Sequence, residues 1–322
     1  MKKNILNYLI AFLIIISLNF LIPRLLPGDP VEAIYGSEAM LNLSPEAKDE
    51  IMNSFGLGEP LYKQYFNYIL SVFKGDFGYS LYHNSPVFRV ILSYLPWTLS
   101  LMGSALVFST IIGVVLGMES GWRRGGWTDK FLLNAMIFSS SFPSFFIGIL
   151  FLIIFGVLAG ILPMQGAQSI YLGLGGIWKF LDIVKHMVLP MASLVLVFTP
   201  SVYLLTRNSM ISNLTEPYIL LAKAKGLREP RIKYYHAGKN SIIPVVTQTG
   251  IRLATRLVTG ALFIEIIFSY PGMGNLIYNS IQMRDYPMLQ GSLLVVAVLV
   301  LLINIALDFV YKKIDPRISN AY

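Results

Sequence analysis

An all-α membrane protein with six transmembrane helices and both termini in the cytoplasm is what this sequence predicts. Three observations lead there. The 322 residues are 55% hydrophobic and only 13% charged, against about 25% charged in an ordinary soluble domain. Six apolar stretches approach or exceed the ~20 residues a spanning helix needs. The basic residues are also unevenly placed. Residues 207–240 hold seven Lys/Arg against two acids, whereas residues 28–94 hold four against eight. Lys and Arg concentrate in cytoplasmic loops, so 207–240 lies inside and 28–94 outside.

The elements follow in order. The first span is Ile5–Leu26, after Lys2 and Lys3. It is too long for a typical signal peptide, and no small-residue cleavage site precedes Pro27. Residues 28–94 are too polar to span. Ser44 and Pro45 start a helix that Gly56 can stop. Leu61–Phe73 carries Leu61, Tyr62, Tyr65, Phe66, Ile69, Leu70 and Phe73 on one helical face, and Gly75 ends it. This external segment is either a cap on the outer membrane surface or a docking platform. The second span is Thr98–Gly117, followed by an inside loop with Arg123, Arg124 and Lys130. The third, Phe131–Leu162, is interrupted at Pro143 and reads as a tilted, kinked helix. The fourth is Met187–Leu205, with Pro190 and Pro200.

A basic insert, 208–240, comes next. Thr215 is a candidate N-cap for a short helix that Gly226 stops, and Pro230 sits at the start of a second helix, Glu229–Lys239. Charges bar this segment from spanning. It either sets topology, binds anionic lipid or docks a cytoplasmic protein. The small residues Ala222, Ala224 and Gly226 favour docking, because they let another surface approach closely.

The fifth span, Ile242–Phe268, has a polar stripe. Gln248, Arg252 and Arg256 recur every four residues, flanked by Thr249, Thr255 and Thr259. An arginine at the centre of a lipid-facing helix costs about 2.5–3.5 kcal/mol. The stripe therefore faces another helix or a water-filled substrate path, where both arginines could meet a cargo carboxylate. Glu265 falls on the opposite face from Arg256 and is assigned to the external mouth. Pro271–Gly274 makes a tight turn. The sixth span is Met288–Tyr311. The organisation is thus a first helix (1–27), an external segment (28–94), a membrane domain (95–312) and a cytoplasmic tail (313–322).

Several chemistries are excluded. With no Cys, there are no disulfides, thiol catalysis or thiolate metal sites. Three His without an HExxH pattern argue against a metal centre. Neither a GxxxxGK[ST] phosphate loop nor a GxSxG elbow occurs, so the chain neither binds ATP by that route nor resembles that class of hydrolase. The net charge of +8 is accounted for by cytoplasmic loops and implies no nucleic acid.

LLAKAKGLREPRIKYYHAGKNSIIPVV, residues 220–246, resembles the cytoplasmic signature loop of ABC importer permeases of bacteria and archaea, and of their peptide/nickel branch in particular. LPGDP (26–30), FGLGEPLYKQY (55–65), GDFGYS (75–80), FPSFFIGILF (142–151) and ILPMQG (161–166) also resemble that branch, as do EIIFSYPGMGNLI (265–277), RDYPMLQG (284–291) and LDFVYKKIDPRI (307–318). The resemblance covers nearly the whole chain. It implies the type I ABC importer permease fold in the cytoplasmic membrane of a prokaryote. The wider family's Glu-Ala-Ala…Gly motif falls on Leu220, Leu221, Ala222 and Gly226, so the Glu and the first Ala are replaced here. The loop then docks, through Leu220, Leu221, Ala222, Ala224 and Gly226, into a cytoplasmic ATPase. A second homologous permease in a heterodimer, two ATPase subunits that bind ATP and Mg, and an external binding protein complete the implied assembly; this chain itself holds no cofactor. The implied cargo is an oligo- or dipeptide, with nickel or another metal chelate as the alternative. An ion-coupled carrier is disfavoured because the acids of the spans, Glu265 and Asp308, lie near span ends. A non-transporting membrane scaffold is the remaining class.

Overall fold

Apolar runs punctuated by proline and glycine set the helices. The computed structural model describes residues 2–25, 44, 59–80, 82–169, 173–246, 248 and 261–314. The helices are α1 (Lys2–Leu25), α2 (Leu61–Lys74), α3 (Val87–Trp122), α4 (Trp127–Ser140), α5 (Ser144–Phe151), α6 (Gly176–Leu214), α7 (Pro217–Ala224), α8 (Glu229–Arg231), α9 (Leu262–Ile267), α10 (Met273–Gln282) and α11 (Tyr286–Ile314). Wider π-helical turns extend α5 over Leu152–Leu158 and α8 over Ile232–Gly238. A two-stranded antiparallel hairpin, β1 (Tyr79–Ser80) and β2 (Ser85–Pro86), precedes α3.

Among the described residues, three helices are long and apolar enough to cross a membrane: Val87–Trp122, Gly176–Leu214 and Tyr286–Leu307. They fall on the second, fourth and sixth expected spans. Each is longer than its apolar window, because a helix does not stop where the bilayer does. At 1.5 Å per residue, α6 is about 58 Å long, against a hydrocarbon core of about 30 Å. α1 supplies a shorter apolar stretch, Leu6–Leu21.

Two expectations need correcting. The third span is not a kinked helix. α4 and the α5 segment meet at 98°, across a break at Ser141–Pro143. Pro143 is extended (ψ 150°) and caps α5; proline also disfavours helical backbone at the residue before it. Helix α3 begins at Val87, so it starts eleven residues ahead of Thr98, where the second span was expected to start. The Ser44–Gly56 helix and the LPGDP stretch lie outside the described residues, apart from Ser44. So does the middle of the fifth span, with Arg252, Thr255, Arg256 and Thr259. At its start the chain is helical through residue 246.

The chain divides into two units. One comprises Met1–Trp97 and Pro271–Ile303. In it α2 runs back alongside α1. Phe20 meets Tyr65 and Tyr68 at ring-centroid distances of 5.2 and 5.6 Å, and Phe12 meets Phe73 at 6.2 Å. The hydroxyls of Ser17 and Tyr65 are 2.7 Å apart. Gly75 closes α2 with φ +74°, a conformation glycine adopts without the Cβ penalty. Asn19 and Gln290 exchange two side-chain-to-carbonyl bonds, of 2.9 and 3.0 Å, between α1 and α11.

Asp285 starts α11. One carboxylate oxygen accepts from the Met288 amide at 3.1 Å, and the other accepts from the buried Ser80 hydroxyl of β1. Asp285→Ala should remove the cap and release the hairpin. A lost N-cap costs about 1 kcal/mol, and the orphaned Ser80 adds to that. Hydrogen exchange at residues 79–88 should quicken, and unchanged protection there would contradict the assignment.

The other unit comprises Thr98–Tyr270 and Asn304–Tyr322. Its spine is the contact between α3 and α6. Gly113, Gly117 and Gly121 recur every fourth residue along α3. A Cβ added at each would stand 2.7, 2.6 and 2.7 Å from the Cβ atoms of Val202, Thr206 and Met210, which recur every fourth residue along α6. This is the small-residue face that lets two membrane helices approach backbone to backbone. α4 joins through the Ser139 hydroxyl, which donates to the Leu196 carbonyl at 2.9 Å. Glycine also admits α9, where Gly148 lies under Ile264 and Phe268.

Glu265 needs a third correction. It lines no mouth: it is fully buried within this unit and accepts a 2.7 Å bond from Thr98. The Pro271–Gly274 turn is shorter than expected, since α10 already begins at Met273.

Candidate functional site

The basic insert forms a built block at one end of the second unit. Glu216 is the N-cap of α7 and Pro217 occupies its first position; the expected cap, Thr215, stands one residue early and bonds back to the Ser212 carbonyl. Gly226 stops the turn as expected, at φ +68°. α8 has Pro230 at its second position, and the helical path continues through the π-turn to residue 246.

α7 has two faces. Ile219 and Ala222 are buried in a cluster with Met210 of α6 and with Ile232 and Ala237 of the following turn, with Trp122, Leu214, Tyr218 and Leu227 around them. The opposite face shows Leu220 and Leu221, 62% and 56% exposed, with Ala224 and Gly226 also exposed. Ala222, expected among the docking residues, differs from the other four: at 5% exposure its side chain packs the chain on itself. The other four expected docking residues lie outward together. Two exposed leucines on a short helix, held from behind by a packed core, form an exposed apolar surface with a fixed position on the block.

Charge ties the helices to one another and, through Lys233, to the block. The carboxylate of Asp129, at the start of α4, takes a two-point contact from Arg207 of α6: Nε to Oδ1 at 2.6 Å and Nη2 to Oδ2 at 2.8 Å. It also accepts from the Gly125 amide at 2.8 Å and from the Ser120 hydroxyl of α3, which in turn lies 2.6 Å from the Tyr203 hydroxyl. Asp129 is 3% exposed. A buried carboxylate is tolerable only with such a full set of donors. Glu119 of α3 pairs with Arg123 at 2.6 Å and with the buried Lys233 of the turn after α8.

Sequence reading missed this network. Its members are singly placed charges, and 78 residues separate Asp129 from Arg207, so nothing local announces the pair. The glycine face went unread as well, although its local signal was available as Gly-x3-Gly-x3-Gly at 113–121. The expected substrate stripe fares differently. Gln248 is helical and exposed, while Arg252, Thr255, Arg256 and Thr259 lie outside the described residues. Among the described residues no group of three or more His, Asp or Glu could hold a metal. His186 serves its own helix, with Nδ1 2.8 Å from the Asp182 carbonyl.

Residues 109–320 match the family described as the inner membrane component of binding-protein-dependent transport systems, and residues 1–102 match the N-terminal model of the same membrane component. The chain is 33% identical over 317 residues to the di/tripeptide transport system permease protein DppB of Pseudomonas aeruginosa, covering 94% of this chain and 93% of that protein. It is 33% identical over 327 residues to the dipeptide transport system permease protein DppB of Escherichia coli, covering 96% and 95%. It is 33% identical over 316 residues to the glutathione transport system permease protein GsiC of Salmonella typhimurium, covering 98% and 97%. The chain belongs to the family of inner membrane components of binding-protein-dependent transport systems. It is a transport permease, not an enzyme.

Proposed function

We propose that this chain imports oligo- or dipeptides as one half of an ATP-driven permease. The observation that carries the coupling half of this reading is the outward face of α7, with Leu220, Leu221, Ala224 and Gly226 presented by a helix whose back is packed. The cargo half rests on the relatives, whose names specify dipeptides, di/tripeptides and glutathione. None of these names a metal chelate, so peptide stands ahead of nickel.

The assembly places six spans of this chain in the cytoplasmic membrane of a prokaryote, with both termini inside. A second, homologous permease completes the path as a heterodimer. Two cytoplasmic ATPase subunits bind ATP and Mg, and one of them receives α7. An external binding protein delivers the peptide; no nucleic acid takes part. ATP-driven closure of the ATPases displaces α7, and the helices alternate access to a central cavity. Gln248, Arg252, Thr255, Arg256 and Thr259 line that cavity, where the arginines meet the peptide carboxylate.

Uptake of labelled dipeptide into vesicles holding the reconstituted assembly tests this. Uptake should require internal ATP and be competed by dipeptides but not by chelated nickel. Uptake driven by an ion gradient with the ATPase blocked would overturn it.

Gly226 gives a second test. A Cβ there meets nothing within 4 Å, so a side chain harms it through the left-handed backbone, at about 1–2 kcal/mol, and through the docking face. Gly226→Val should abolish uptake while the chain still inserts. Gly226→Asn, which tolerates this backbone but still adds a side chain to the docking face, should lose less uptake than the valine variant and more than none. Equal uptake by the valine variant and wild type would remove Gly226 from the docking face.

A further inference from the structure

We infer that Lys233 and Glu119 are positioning residues that convert displacement of α7 into displacement of α3. This deepens the coupling reading above and rests on it. Lys233 lies in the turn that follows α7 and α8, and is 8% exposed. Its ammonium bonds Oε2 of Glu119, three residues before the end of α3, while Oε1 holds Arg123 at 2.6 Å. A loop that served only to set topology would leave its lysines in water. Burying an ammonium is costly unless it is paired, so this one fixes where the turn sits against α3.

Two further contacts define the same joint. Gly238, the last residue of the turn, passes Met118 so closely that an added Cβ would stand 3.1 Å from the Met118 sulfur. Ile219 and Ala222 of α7 share the cluster of Met210, which itself fills the gap left by Gly121 of α3. The coupling helix, the turn behind it and the ends of α3 and α6 thus form one packed block. Within it, Lys233–Glu119 is the directional, charged link between the insert and α3. The glycine face then carries α6 with α3.

The test uses the complete assembly in vesicles, measuring peptide uptake and ATP hydrolysis together, and the ATPase retained on purification. Lys233→Met keeps the apolar stem and removes the charge; Glu119→Gln removes the partner; Lys233→Arg conserves the pair. Both neutral variants should retain the ATPase, yet lose several-fold in uptake per ATP hydrolysed. Lys233→Arg should stay near wild type. The Glu119→Gln/Lys233→Met double variant should be no worse than either single change, because one link is lost once. Uptake per ATP unchanged in both single variants would overturn the inference, and so would single losses that add in the double. Absence of the ATPase from the wild-type preparation would instead overturn the coupling reading, and the inference with it.

Discussion

Gly117→Leu will separate α3 from α6 and leave little folded permease in the membrane. The first atom of the new side chain would stand 2.6 Å from the Thr206 Cβ and 2.8 Å from the Tyr203 carbonyl oxygen. Backbone cannot swing aside as a flexible side chain can. Overpacking costs about 1–3 kcal/mol and occasionally more. Here the upper part of that range applies, because the neighbouring glycine contacts at 113 and 121 must part as well. The same displacement pulls Ser120 from Asp129 and Tyr203. Gly103→Ala provides the control: on the same helix, a Cβ there meets nothing within 4 Å. It should be neutral or slightly stabilising, since glycine in a helix interior costs about 0.5–1 kcal/mol relative to alanine. Thermal unfolding in detergent distinguishes the two. Equal melting of Gly117→Leu and wild type would mean that the close α3–α6 contact does not exist.

Breaking the Asp129–Arg207 pair comes second. Asp129→Ala leaves a largely buried guanidinium without its carboxylate, strands the Gly125 amide, and leaves the Ser120 hydroxyl only Tyr203 as a partner. Removing one partner of a buried pair costs about 3–5 kcal/mol, whereas replacing both with apolar groups is often close to neutral. The Asp129→Ala/Arg207→Met double variant should therefore melt well above Asp129→Ala alone. Because α4 is held at its first turn by this pair, Asp129→Ala should also raise hydrogen exchange over residues 127–133. Single losses that simply add in the double variant would show that the two side chains do not act as a pair.

How much of this was legible in the sequence follows from the range of each signal. Apolar length is local and survives in α3, α6 and α11. Breakers are local too: Gly75 and Gly226 stop their helices where expected. The break at Pro143 was visible, but its 98° angle was not; α5 packs under Ile264 and Phe268 across Gly148, contacts with residues distant in the chain that no local pattern announces. The inward turn of Ala222 escaped notice for a related reason. A run of Leu220, Leu221, Ala222 shows no polar side, and the faces of a short helix are decided by Met210, Ile232 and Ala237, distant in the chain. Glu265 was placed at a mouth because helix geometry turns it away from Arg256; Thr98, 167 residues away, supplies a buried partner that no local pattern announces. Long-range pairs such as Asp129–Arg207 and Lys233–Glu119 leave no periodic trace at all.

The most direct test of the importer reading is purification of this chain from its native membrane in gentle detergent, with mass spectrometry of what accompanies it. A nucleotide-binding ATPase and a second six-span permease should co-purify, and the ATPase should be lost from Gly226→Val. Recovery of the chain alone, or only with copies of itself, under every mild condition would contradict the importer and return the 208–240 insert to a role in membrane topology.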